Sequence, residues 1–195
     1  MPRTTRTFIA IPIPAALRTK LERLQGLSAT GIEGARWVEP PGFHLTLAFL
    51  GDVHDTDLSG VCVAVNEAVR GIHRFDLSIK GLGAFPDPAR PRVLWAGVEG
   101  DLETLAATQK AAYDAANGAG YRPADNRFHP HITLAHIKVG RGMAVDVGPL
   151  IAQHSGWNAG TFTADAVVTY ASSFNQDGPT YTPLGRGPLS KHGHA

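Results

Sequence analysis

Two five-residue segments of this chain are nearly the same: His44-Leu45-Thr46-Leu47-Ala48 and His131-Ile132-Thr133-Leu134-Ala135. Four of the five positions are identical and the fifth pairs Leu with Ile. Side chains of a β-strand alternate between its two faces. Alternation predicts His44, Thr46 and Ala48 on one face, with Leu45, Leu47 and Phe49 on the other. In the second copy, His131, Thr133 and Ala135 oppose Ile132 and Leu134. Each strand then has an apolar face for a core and a second face with one imidazole and one hydroxyl. The fold must bury one side of both strands and leave the other open. Two lobes related by a pseudo-two-fold would bring the open faces together around a cleft.

The rest of the chain supplies mixed elements. Short strands are expected at Phe8–Ile13, Phe43–Leu50, Phe75–Leu82, Val93–Val98, Phe128–Ile137, Phe162–Tyr170 and Tyr181–Leu184. Pro14 opens a helix in which Leu17, Leu21 and Leu24 recur at helical spacing. Further helices are expected over Asp57–Arg70, with Leu58, Val61, Val65 and Val69 in phase, from an Asp101 cap to Asn117, and over Val145–His154. This order lacks the steady alternation of a parallel α/β protein, so an α+β architecture with helices packed outside antiparallel sheets is expected. Residues 1–187 should form one domain, and 188–195 a disordered tail.

Bulk properties narrow the function. The net charge is +1 with histidines neutral, which is too small for a protein that coats long nucleic acid but compatible with a local phosphate site. Cys62 is the only cysteine and lies in an apolar run, so neither a disulfide framework nor a cysteine-rich zinc site is expected. There is no secretion-signal pattern near the start and no stretch of ~20 apolar residues, so a cytoplasmic, membrane-free setting is expected.

A cleft with two imidazoles suits acid–base chemistry. One neutral ring can take a proton from water while the other, protonated, gives one to a leaving oxygen. Unperturbed imidazole has a pKa of ~6.5, so both forms are accessible near neutral pH. Threonine hydroxyls can donate to oxygens that gain negative charge. The arrangement fits attack of water on a strained cyclic phosphodiester and needs no metal or cofactor.

At these residues the chain resembles the two-histidine phosphoesterase superfamily, and within it the bacterial RNA 2′,3′-cyclic phosphodiesterases, historically called 2′-5′ RNA ligases. The resemblance rests on HLTLAFLG from His44 to Gly51 and FHPHITLA from Phe128 to Ala135. It extends to the Thr7–Pro12 opening strand, to RVLWAGV from Arg92, to Tyr170–Phe174 and to Tyr181–Leu184, covering about residues 6–189. It implies a bilobal fold with a groove between two antiparallel sheets. It also implies roles: His44 as proton donor to the leaving 3′ oxygen, His131 as proton acceptor from water, and Thr46 and Thr133 as phosphate holders. The substrate would be RNA ends, tRNA fragments among them, with a 2′,3′-cyclic phosphate. The product would be a 2′-phosphate, and the reverse reaction a 2′-5′ join. The chain departs from the pattern at one place: many relatives carry Arg directly after the second motif, where this chain has His136. Arg127, just before that motif, is a candidate to compensate.

Other residues carry less. His129 and His131 have a metal-chelating spacing, but Pro130 intervenes and no acidic residue completes a site. Trp37, Phe43, Phe128 and Phe174 flank the expected groove, and one of them could stack on a base. Trp95 reads as core. A monomer is expected. The rival functions are a cyclic phosphodiesterase for small nucleotides, a non-catalytic RNA-binding module, and a metal-dependent hydrolase built on His129 and His131.

Overall fold

The computed structural model describes residues 3–28, 32–123, 128–138, 140, 145–175 and 178–191. Among the described residues, nine strands form two antiparallel sheets, with four helices packed around them, which is the α+β class expected. The first sheet has the order β3-β1-β8-β9 and the second β2-β6-β5-β4-β7. Their strands are β1 (Thr4–Pro12), β2 (Ala35–Trp37), β3 (His44–His54), β4 (Phe75–Phe85), β5 (Val93–Gly100), β6 (His131–Ile137), β7 (Asn158–Ala164), β8 (Ala166–Asn175) and β9 (Gly178–Pro188).

The two halves of the chain follow one plan. Each begins with a strand (β1 or β5), runs through a helix, and returns with a motif strand (β3 or β6) antiparallel to the first. A later strand then crosses to the other half: β4 pairs with β5, and β8 with β1. The trio β3-β1-β8 therefore corresponds to β6-β5-β4, and exchanging strands ties the halves together. One apolar cluster runs through both sheets, joining Ile9, Ile11, Leu45 and Leu47 to Leu77, Ile79, Ile132 and Leu134.

The helices bury the stripes their sequences display. α1 (Ala15–Ser28) buries Leu17, Leu21 and Leu24. α2 (Leu58–Val69) buries Val61, Val65 and Val69 at i, i+4 and i+8. α3 (Leu102–Gly118) starts at Asp101, whose carboxylate accepts from Thr104 N at 3.0 Å and Thr104 Oγ1 at 2.7 Å. α4 is only Gly148–Gln153, shorter than the Val145–His154 expected.

Two expectations need correction. The single strand over Phe162–Tyr170 is two: β7 ends at Ala164 in the second sheet and β8 begins at Ala166 in the first, with Asp165 between them. Aspartate is disfavoured in strand interiors, and here it marks the crossing. The tail does not begin at 188. Leu189 is 2% exposed, and Ser190 N donates to Ile72 O at 2.8 Å. A buried leucine and backbone pairing hold the chain through Ser190; residues 192–195 lie outside the described set. Among the described residues no helix is long and apolar enough to cross a membrane.

Candidate active site

The motif strands do not keep strict alternation. In β3, Ile9 pairs with Ala48 but Ala10 with Thr46, so Leu47 is an extra residue in the ladder. In β6, Leu94 pairs with Ala135 but Trp95 with Thr133, so Leu134 is extra. These are β-bulges, each of which turns the strand by one position. The open face keeps His44 and Thr46 as expected, but then Ala48 turns inward to 5% exposure and Phe49 outward to 56%. Likewise Ala135 is buried and His136 is exposed. The shared unit is thus six residues long, and its last position puts Phe49 in one lobe and His136 in the other.

Both imidazoles are held in the same way. His44 Nδ1 lies 2.6 Å from Gly42 O, and His131 Nδ1 lies 2.7 Å from His129 O. A carbonyl oxygen only accepts, so Nδ1 carries the hydrogen in both rings. In the neutral ring, Nε2, the nitrogen farther from the backbone, then carries the free lone pair. Thr46 and Thr133 sit two residues on, and among the described residues neither hydroxyl has a hydrogen-bond partner in the protein.

An aromatic wall backs each ring. The His44 centroid is 4.7 Å from Phe8, 5.2 Å from Tyr181 and 6.5 Å from Tyr170. His131 is 5.0 Å from Phe85 and 6.0 Å from Trp95. The walls are not equal. Opposite Thr46 the neighbouring strand carries Ala10, and opposite Thr133 it carries Trp95.

The LigT like Phosphoesterase family model matches the chain twice, over residues 11–95 and 98–181. The chain belongs to this family. A Methanothermobacter thermautotrophicus protein named RNA 2′,3′-cyclic phosphodiesterase is 31% identical over 179 residues, 92% of this chain and 96% of that protein. An Aeropyrum pernix protein of the same name is 33% identical over 168 residues, 85% and 92% of the two chains. Among solved structures, E. coli LigT is 26% identical with a TM-score of 0.75, covering 96% of this chain and 99% of that one.

In this LigT-like phosphoesterase the site is dry enough to shift both histidines. Burial pushes His44 down to about 4, against the pull of its Gly42 bond, and the His131 charge adds to the depression. Burial also lowers His131, with the His129 charge acting in the same sense. Each ring is desolvated, and His44 feels the charge of His131. Both shifts favour the neutral ring in the free protein.

The remaining expectations divide. Trp95 is not core: its Gly97-Val93 neighbours share its open face, and its ring lies 4.9 Å from His129 and 5.1 Å from Phe85. Gly83 makes this possible, since a Cβ there would overlap Trp95 Cη2 and Cζ2. Of the proposed stacking aromatics, Phe43 is in the core, Trp37 and Phe128 pack partly buried against it, and Phe174 is 65% exposed. Phe49 was not among them, because strict alternation assigns it to the core. Arg127 lies outside the described residues. His129 and His131 stand with centroids 6.2 Å apart, and among the described residues no three His, Cys, Asp or Glu side chains could hold a metal.

Proposed function

We propose that this chain is an RNA 2′,3′-cyclic phosphodiesterase that opens a terminal cyclic phosphate to a 2′-phosphate. The observation that carries the reading is the matched pair of imidazoles, each with Nδ1 bound to the carbonyl two residues earlier. Two rings locked in one tautomer offer two Nε2 atoms to one phosphorus.

Neutral His131 takes a proton from water through Nε2 as the water oxygen bonds to phosphorus. The bond from phosphorus to the 3′ oxygen breaks, and His44, protonated at Nε2, gives that oxygen its proton. Thr46 and Thr133 donate to the non-bridging oxygens, whose charge grows in the transition state. The product carries a 2′-phosphate and a free 3′-hydroxyl. With a 5′-hydroxyl in place of water, the same steps join ends 2′ to 5′: the 5′ oxygen bonds to phosphorus, His131 takes its proton, and the 3′ oxygen leaves with a proton from His44.

The assignment of acid to His44 follows the resemblance to the two-histidine phosphoesterases. Phe49, 56% exposed in the lobe of His44, offers a face on which the terminal base stacks. Relatives named RNA 2′,3′-cyclic phosphodiesterase and a structure of E. coli LigT with 3′-AMP support a nucleotide phosphate as ligand. For His44 to act as acid, the anionic substrate must raise its pKa on binding, as an opposite charge does.

The test is hydrolysis of an oligoribonucleotide ending in a 2′,3′-cyclic phosphate. His44→Ala and His131→Ala should each lose about 10²–10⁴-fold in rate, the scale of one acid–base group. Near-full activity in either variant would refute the two-histidine reading.

A further inference from the structure

With a net charge of only +1, a strand of RNA must be held by local charges. The groove carries one such charge that the chemistry above does not use. Arg36, in β2, pairs in register with His136 of β6, so it shares the face that carries His131 and Thr133. Its side chain leaves its own sheet and reaches the β8–β9 end of the other. The guanidinium carbon lies 5.8 Å from the centroid of Phe174. Its Nη2 lies 3.0 Å from where a Cβ on Gly178 would stand, so Gly178, at φ +131°, leaves space for it.

The ion pairs among the described residues join Arg3 to Asp55, Lys80 to Glu99, Lys110 to Asp114 and Arg186 to Asp165. None involves Arg36. Its cross-strand neighbour is His136, whose pKa is lowered by desolvation and then by the Arg36 charge. Tyr181 links Arg36 to the centre: its ring lies 5.2 Å from that of His44, and the Arg36 charge acts on its hydroxyl. A guanidinium lying over an exposed aromatic, one ring removed from a catalytic centre, has the two parts of a single-strand site: a cation for backbone phosphate and a π-face for a base.

We propose that Arg36 and Phe174 form a second nucleotide subsite, in which Arg36 takes the phosphodiester on the 5′ side of the terminal nucleotide and Phe174 stacks on the preceding base. The inference rests on the cyclic-phosphodiesterase reading and deepens it. It makes the preferred substrate an RNA end rather than a cyclic mononucleotide, which has no such phosphodiester.

The experiment compares adenosine 2′,3′-cyclic monophosphate with an oligoribonucleotide ending in the same cyclic nucleotide. Arg36→Ala should raise KM for the oligonucleotide about 10-fold, leave its kcat within about twofold, and leave kcat/KM for the mononucleotide within about twofold, the scale of one charge-assisted contact. Phe174→Ala should act on the same substrate alone, and Arg36→Lys should restore part of the loss. The salt slope of oligonucleotide binding should fall by about one for Arg36→Ala. Equal loss on both substrates would overturn the subsite, since Arg36 would then serve the reacting phosphate or the fold; so would no loss on either. Wild-type protein that hydrolyses neither substrate would count against the cyclic-phosphodiesterase reading. In that case anisotropy of a product oligonucleotide bearing a 2′-phosphate, with and without Arg36, still decides the subsite.

Discussion

Gln25 Nε2, in α1, donates to the carbonyl of Leu134, the extra residue of the β6 bulge, at 2.9 Å. It also donates to Val38 O at 2.8 Å, and Val38 N donates to the same Leu134 oxygen at 2.8 Å. The other half repeats the device: Gln109 Nε2, in α3, donates to Leu47 O at 3.3 Å. A carbonyl that a bulge takes out of its ladder needs another donor, because an orphaned buried acceptor costs about 1–3 kcal/mol. Gln109 supplies it to Leu47, and Gln25 joins Val38 N in supplying it to Leu134. These two side chains hold the kinks that place Phe49 and His136 on the groove.

Gln25→Met keeps the volume and removes the donor. Its expected cost is about 1–3 kcal/mol in denaturant unfolding. The expected fall in kcat is about 10-fold or more, since catalytic geometry tolerates little displacement. Full kcat in a destabilised protein would mean that the bulge supports the fold but not the site.

Gly83→Ala puts a methyl group where Trp95 lies. The indole must move, and with it the wall behind His131. Overpacking of this kind costs about 1–3 kcal/mol. Tryptophan fluorescence should report the displaced ring, and kcat should fall with it. An unchanged spectrum and rate would show that the indole does not support His131.

The pH dependence follows from two lowered pKa values. The productive free enzyme holds one proton on the pair. The descending limb of kcat/KM should therefore have its midpoint below ~6.5, the unperturbed imidazole value. A bound phosphodiester anion favours imidazolium, so the descending limb of kcat should lie at higher pH. Coincident limbs would contradict this. Stability changes in the same window. The unfolded chain protonates His44 below its ordinary value, while the folded chain does so only near about 4. The unfolded state thus binds the extra proton, and stability falls as pH drops through that range. The melting temperature of His44→Asn should decline less steeply there.

Much of the site was legible because the repeat and the strand period agreed. Leu45, Leu47, Ile132 and Leu134 all point into the core, and the fold class followed from the order of elements. The bulges were not legible. Period-two reading places Ala48 outward and Phe49 inward, and the carbonyls that break the period are held by Gln25 and Gln109, which lie far away in sequence. Trp95 carried a readable sign, since Leu94 and Ala96 on either side of it face the core. Arg36 carried none: its role depends on which strand pairs with β6 and on where the β8–β9 hairpin ends.

Chelation separates the rival built on His129 and His131. Hydrolysis should be unchanged in excess chelator, because Nδ1 of His131 is already bound to a carbonyl and no third ligand stands nearby among the described residues. Loss of activity that added metal restores would favour the rival.

The central claim is that His44 and His131 meet one phosphate. Histidine NMR titration with and without adenosine 2′-phosphate tests it most directly. The pKa of both rings should rise together on binding, with Nδ1 remaining protonated in each. A shift confined to one ring, or to neither at saturating ligand, would contradict it.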